Sequence, residues 1–487
     1  MSKLEDYFEP FRTNTTGRNY KFKTPFGEKQ IIYSDWTASG RLYGPIEKAL
    51  AEKFGPYVGN THTETTVTGN TMTIAFHRAL KIIKDHVNAN SDDVIIASGS
   101  GMTGVINKFQ RILGLRSHED FRMMVMPKGN DKPVVFITHM EHHSNHTSWL
   151  ESLVDVVIIK PTDEGLVDLQ HFAELLEQYK ERKHKIASVS ACSNVTGIVT
   201  PYFEISKMVH KAGGLCFVDF ACSAPYVEVD MHPDDEDSRL DAVFFSPHKF
   251  LGGPGTPGIL IFDRELYHNK VPDNPGGGTV NWTNPWGEKS YIADIEIRES
   301  GGTPPFLQTI KAAMAVKLKE KMGVDNMLRR EEEIVQRIFG KMCPVSNIKI
   351  LSKEIKHRLG VISFYIDDLH FNLAVRLLND RYGVQMRGGC SCAGTYGHLW
   401  LDILKKLSNL ITSKVDAGDL SIKPGWVRFS IHPSMTDKEV DIICDALIEV
   451  AENHEEWAKD YEYSNDTNEF YYKGDNPQVD PVDWFEV

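Results

Sequence analysis

Seven short runs rich in β-branched and aromatic residues recur through the first two-thirds of the chain, at 94–97, 134–138, 156–159, 186–190, 215–219, 242–245 and 258–262. Stretches of helical period separate several of them, as at 103–113, 169–180 and 205–212. Strands that are apolar almost without a break must be buried on both faces, and crossover helices provide that cover. The pattern predicts an α/β fold built on a mostly parallel seven-stranded sheet flanked by helices. Ligands of such sheets bind beyond the carboxyl ends of the strands. Chemistry is therefore expected where these runs stop.

From about Leu307 the pattern changes to a charged helix through Lys321, a second helix at 326–341, a strand at 361–366 and a helix at 371–382. A loop at 387–394, a strand at 426–431 and a helix at 437–453 follow. This reads as a smaller α+β domain, so the expected division is a large domain at 31–306 and a small one from 1–30 plus 307–454. Between His398 and Gly425, Leu399, Ile403, Leu407 and Leu410 form a helix-period stripe expected to pack on the core. Residues 455–487 are acidic and aromatic without periodicity, and a solvated tail and a surface strap both remain open.

The 487 residues carry a formal net charge of -13, which argues against nucleic acid or an anionic membrane as the main partner. No uninterrupted apolar stretch is long enough to cross a bilayer. The first residues have neither the apolar run of a secretory signal nor the composition of a transit peptide, so the expected location is the cytoplasm. Seven cysteines, an odd number on a long chain, do not form a disulfide framework, and reduced thiols are expected. Cys390 and Cys392, two residues apart, need an explanation of their own.

Four strand ends carry candidate chemistry. Ser246, His248 and Lys249 follow the run at 242–245. A lysine there can be desolvated, which favours the neutral amine that forms imines. Taken alone, a lysine at such a place is more often a solvated lysine in a turn. Asp219 ends another run, where an anion suits a protonated pyridine nitrogen, although loop carboxylates and helix caps are common there too. Gly99-Ser100-Gly101-Met102-Thr103-Gly104 follows a strand and opens a helix. Its backbone N–H groups can converge on a phosphate, but it is neither the dinucleotide fingerprint nor the P-loop. Glu141, His142 and His143 follow the run at 134–138. Adjacent histidines seldom serve one metal, so a ring stacked on a flat cofactor is the better functional reading, beside that of a polar loop.

Together these motifs resemble the cysteine desulfurase/selenocysteine lyase branch of the class V aminotransferase family, which has the fold-type-I architecture of enzymes dependent on pyridoxal 5'-phosphate (PLP). The resemblance runs from about Tyr33 to about Asn453. Its most specific parts are Ser246-Pro247-His248-Lys249, Glu141-His142-His143, Ser193-Asn194-Val195-Thr196-Gly197 and the loop from Arg387 through Gly389 to Cys392. It implies that Lys249 carries PLP, Asp219 pairs with its ring nitrogen and His142 stacks on the ring. Gly101, Met102, Thr103, Ser246 and His248 would bind the phosphate. Thr303 would reach the partner's phosphate in a homodimer with shared sites. Asn194, Arg387 and Arg428 would hold the substrate carboxylate, for which a guanidinium fork is suited.

The resemblance further implies removal of sulfur from L-cysteine, or selenium from selenocysteine, through a persulfide on Cys392 with release of alanine. A sulfur-acceptor protein is a possible partner on this reading. The alternatives left open are a PLP-dependent C–S lyase, an aminotransferase or epimerase without a persulfide, and a non-catalytic scaffold. A metal at Cys390, Cys392 and His398 is a further rival, short of a fourth ligand. Three departures stand out. Cys222 occupies the position where the family has a glutamine against the cofactor's phenolic oxygen, Cys390 precedes the expected nucleophile, and 398–425 is longer than usual.

Overall fold

The computed structural model describes residues 3–61, 63–477 and 479–486. The backbone divides into two compact units. One comprises Ser39–Ser193 and Val199–Val324; the other comprises Met1–Ala38, Asn194–Ile198 and Asp325–Val487.

The first unit is built on seven strands, β1 (Asp93–Ser98), β2 (Val134–Thr138), β3 (Asp155–Ile159), β4 (Lys185–Ser190), β5 (Leu215–Asp219), β6 (Ala242–Phe245) and β7 (Gly258–Asp263). Their order across the sheet is β1-β7-β6-β5-β4-β2-β3. All neighbours are parallel except β7, which runs antiparallel to both β1 and β6. The expected mostly parallel sheet is present. β2, β4 and β6 are buried at every position, as strands covered on both faces must be. On one face Phe109, Phe217, Phe244, Phe262 and Trp149 form the centre of the core. Phe109 meets Phe217 edge-on at 5.1 Å between ring centroids.

Helix α1 (Val67–His86) opens on Thr66, whose hydroxyl accepts the N–H of Gly69, and it packs along the helix Phe306–Met322. That second helix therefore belongs to the first unit, and the boundary falls after Val324 where the change of pattern had put it near 306. Helix α2 (Gly101–Ile112) follows β1, and helix α3 (His143–Leu150) follows β2.

The second unit holds a four-stranded antiparallel sheet of β8 (Ile348–Ile350), β9 (Val361–Ile366), β10 (Arg387–Gly389) and β11 (Trp426–Ser430), ordered β8-β9-β11-β10. Helices α4 (Val324–Met342), α5 (Phe371–Tyr382), α6 (Lys405–Asp416) and α7 (Asp437–Trp457) accompany it. A capping box of Thr436 and Glu439 starts α7. The short strand Ile32–Tyr33 pairs in parallel with Val384–Gln385. The five residues at 194–198 count with this unit because the Leu359 N–H donates to the Gly197 carbonyl at 2.9 Å and the Ser363 hydroxyl to the Val195 carbonyl at 2.7 Å.

One expectation changes here, and one choice left open is narrowed. The stripe at 398–425 does form a helix, but α6 contributes no buried residue, and Leu399, Leu407 and Leu410 are each about half exposed. Helical period reports a helix; it does not report what covers it. The acidic segment is not all a solvated tail. Its β12 (Tyr461–Ser464) and β13 (Glu469–Tyr472) form a hairpin, and the Arg376 Nε and Asn372 Nδ2 of α5 donate to its Phe470 and Asn468 carbonyls. Among the described residues no helix is long and apolar enough to cross a membrane.

Candidate active site

In the first unit, the carboxyl ends of β2, β5 and β6 and the loop after β1 carry the predicted cofactor residues. Asp219, the last residue of β5, is buried, and its Oδ1 accepts the Ala221 N–H at 2.8 Å. Burial pushes its carboxyl up to about 7 against the opposing pull of the Ala221 N–H and the Lys249 charge, with the Glu141 charge adding to the rise.

Lys249 is half-buried in a single 3₁₀ turn, Pro247–Lys249, and its N–H donates to the Ser246 carbonyl at 3.0 Å. His248 is held down to about 4 by burial and then by the Lys249 charge, so its ring is neutral at pH 7. Ser246 Oγ accepts the Met102 N–H at 2.8 Å and ties this turn to the start of α2. Gly99 and Gly101 have φ of +61° and +62°, the left-handed region that glycine enters freely. A Cβ on Gly101 would lie 2.9 Å from Ser246 Oγ and 3.5 Å from the His248 ring. The small space between these groups exists only because residue 101 lacks a side chain.

Thr103 is exposed, and its hydroxyl meets that of Ser144 at 2.6 Å. His142 caps α3, its Nδ1 accepting the Ser144 N–H at 3.1 Å. An acceptor Nδ1 in a neutral ring leaves the proton on Nε2. Beneath it Glu141 is wholly buried and accepts from the Thr138 and Ser190 N–H groups, both their hydroxyls and Asn145 Nδ2, at 2.6 to 3.2 Å. Burial raises its pKa despite these donors. Cys222 Sγ lies 3.9 Å from the buried Cys192 Sγ, a pairing of thiols the sequence did not single out. Thr303 is exposed and lines a pocket of about 580 Å³ with Gly99, Lys108 and Glu299.

The second unit holds the predicted carboxylate-binding residues and the cysteine loop. Arg428, in the middle of β11, is buried; its Nη1 donates to the Asn194 carbonyl at 3.1 Å. Its Nη2 donates to Asp35 Oδ1 at 2.8 Å. Arg387, on β10, is its register partner, and its Nε donates to Asp35 Oδ2 at 3.0 Å. One carboxylate therefore binds both arginines. Asn194 Nδ2 donates to the Ser391 carbonyl at 2.7 Å, while its Oδ1 and Arg428 Nε are buried without a hydrogen-bond partner among the described residues. Asp35 and Arg387 also line a pocket of about 400 Å³ with Arg376, Gln385 and Glu469.

Cys392 is exposed, and it and Ser391 both adopt left-handed φ, 56° and 52°. For residues other than glycine this is a strained turn, closed by the Ala393 N–H on the Cys390 carbonyl at 3.0 Å. Cys390 is half-buried, its thiol donates to the Pro424 carbonyl at 3.2 Å, and burial raises its pKa. The two cysteines thus differ as a packed thiol and a presented one. His398 hydrogen-bonds Gly394 and Ser408 through its two ring nitrogens, both at 2.8 Å. Among the described residues no cluster of three His, Cys, Asp or Glu side chains is placed to hold a metal.

The chain is similar to known proteins along most of its length. The family profile described as aminotransferase class-V matches residues 32–443. A probable cysteine desulfurase of Staphylococcus aureus (strain Mu50 / ATCC 700699) is 27% identical over 369 residues, covering 75% of this chain and 84% of that protein. The cysteine desulfurase of Haloferax volcanii is 26% identical over 366 residues, covering 74% and 80%. Among solved structures, apo cysteine desulfurase from Thermococcus onnurineus NA1 superposes with a TM-score of 0.68 at 22% identity, covering 87% of this chain and 95% of that one. The cysteine desulfurase CsdA from Escherichia coli gives 0.69 at 19% identity, covering 91% and 98%. At these identities the two structures speak to the fold alone.

Proposed function

The chain belongs to the aminotransferase class-V family, a family of PLP-dependent enzymes with the fold-type-I architecture, and from that premise we propose that it is a cysteine desulfurase. The observation that carries the reading is the buried Asp219 carboxyl, raised by burial and opposed by the Lys249 charge, in the same unit as the side-chain-free space at Gly101. The residues fit PLP. A phosphate would take the Gly101 N–H, the hydroxyls of Thr103 and Ser246 and the His248 ring, with the Met102 N–H orienting Ser246 beside it, and Asp219 is suited to a ring N–H donor. His142 would stack on the ring, Cys222 would lie by its phenolic oxygen, and Lys249 would bear the cofactor. When bound, PLP supplies an electron sink at the α-carbon of an amino acid.

The remaining work falls to the chain. Lys249 moves the α-proton, and Asp219 holds a proton at the ring nitrogen. Asn194, Arg387 and Arg428 hold the substrate carboxylate, Arg387 from a half-exposed position. The Cys392 thiol, acting as thiolate, takes the sulfur of L-cysteine, so that thiol and cysteine become a Cys392 persulfide and alanine. An exposed persulfide can be passed to an acceptor protein. We extend the reading to a cytoplasmic homodimer in which Thr303 reaches the partner's phosphate.

Incubating the purified, PLP-loaded protein with L-cysteine tests this directly. Alanine formed in step with sulfur, and lost in Cys392→Ser, is expected. Pyruvate and sulfide would replace the proposal with a C–S lyase, and a keto acid without sulfide with an aminotransferase.

A further inference from the structure

Two arginines in register on neighbouring antiparallel strands, as Arg387 and Arg428 are, repel each other unless an anion lies between them. Asp35 is that anion. Its two carboxylate oxygens are divided between them, Oδ1 to Arg428 Nη2 at 2.8 Å and Oδ2 to Arg387 Nε at 3.0 Å. Its backbone is fixed as firmly as its side chain, since Asp35 bridges Ser430 in parallel and the Thr37 N–H donates to Ser430 Oγ at 2.8 Å. The trio sums to one positive charge. The other charged groups lining the adjoining pocket, Arg376 and Glu469, offset each other.

We propose that Asp35 is a specificity-determining residue, which holds the carboxylate-binding site at a single net positive charge and so selects amino acids with one carboxylate. The inference rests on the assignment of Arg387 and Arg428 to the substrate carboxylate. The Asp35 carboxylate is bound to the two arginines, so it acts on the substrate by orienting them and by subtracting one charge. Holding Arg387 through Nε leaves its Nη edge free for a carboxylate. Removing the Asp35 charge would leave two positive charges side by side, a site that favours a second anionic group on the ligand.

The test is calorimetric titration of the PLP-loaded protein with L-alanine and with L-aspartate, in wild type, Asp35→Asn, Asp35→Glu and Arg387→Gln. The quantity read is the ratio of the two dissociation constants, in which a general loss of structure cancels. Asp35→Asn is expected to shift the ratio toward aspartate by at least about tenfold. Asp35→Glu restores the charge and should stay within about threefold of wild type. Arg387→Gln, at a half-exposed position, should shift the ratio the opposite way even if Asp35→Asn fails to fold. An unchanged ratio in Arg387→Gln, or equal loss of both ligands in a folded Asp35→Asn, overturns the charge inference and leaves the desulfurase reading intact. A wild-type protein that binds neither amino acid overturns both.

Discussion

Asp219→Asn offers a quantitative test of the site, because the cofactor-free protein bears a cost that the substitution removes. Burial lifts the Asp219 carboxyl from 3.8 to about 7 in the folded chain. Between those values the folded state keeps a proton that the unfolded state has lost, so stability falls as pH rises from about 4 to about 7, and the cost is complete above that. At about 1.36 kcal/mol per pH unit, the full cost is about 4 kcal/mol, with about 1.7 kcal/mol of it already present at pH 5. Asparagine does not titrate. It introduces an NH₂ group with its own burial cost, but that cost is the same at both pH values. Going from pH 5 to pH 8, cofactor-free Asp219→Asn should therefore gain about 2.5 kcal/mol relative to wild type. Chemical denaturation at the two pH values measures this. Loading with PLP should reverse the ranking, since the anion then has a ring N–H to bind. Parallel stability curves for wild type and variant without cofactor would show that Asp219 is not an uncompensated buried carboxyl.

Cys392→Ser should abolish desulfuration while keeping the visible absorbance of bound PLP, whereas Cys390→Ser should retain most turnover; mass spectrometry after cysteine treatment should find the added sulfur on Cys392. Gly101→Ala forces a left-handed alanine, costing about 1–2 kcal/mol, and fills the space beside Ser246, so PLP affinity measured by absorbance titration should fall about tenfold or more. Leu407→Lys and Leu410→Lys, on the exposed face of α6, should each change unfolding stability by no more than about 0.5 kcal/mol; a loss of several times that would mean the stripe is covered after all.

The sheet and the positions of the candidate residues were legible because both are local. Each strand is a short apolar run, and Asp219, Ser246, His248, Lys249, His142 and the Gly101 turn lie within a few residues of a strand end, so finding the strands found the residues. What escaped depends on distance along the chain. Asp35 meets its arginines across 352 and 393 residues, and nothing near Tyr33 announces it. Cys192 and Cys222 are likewise ordinary strand-end cysteines until β4 and β5 are set side by side. The hairpin at 461–472 did leave a signal, since the aromatic runs Tyr461–Tyr463 and Phe470–Tyr472 flank an Asn-Asp-Thr-Asn turn. The two runs were too short to stand out against a charged background. The exposure of α6 left none, because an apolar stripe reads the same whether covered or bare.

The antiparallel strand β7 governs when during synthesis the Gly101 turn can form. Gly258 lies so close to the Gly101 carbonyl that a Cβ on it would come within 2.1 Å of that oxygen, and β7 pairs with β1 from Gly258–Ser98 to Asp263–Asp93. More than 150 residues separate these partners in the chain, and closing so long a loop is slow compared with pairing neighbours. Four of the other strands, β2 to β5, are translated first and can pair among themselves. The edge strand β1 meanwhile waits with its main-chain groups open, and Ser246 has no Met102 N–H to accept. A ribosome-bound chain released before about residue 263 would thus hold most of the sheet yet lack the seam between β1 and β7, and its glycine turn would be a floppy connector rather than a shaped one.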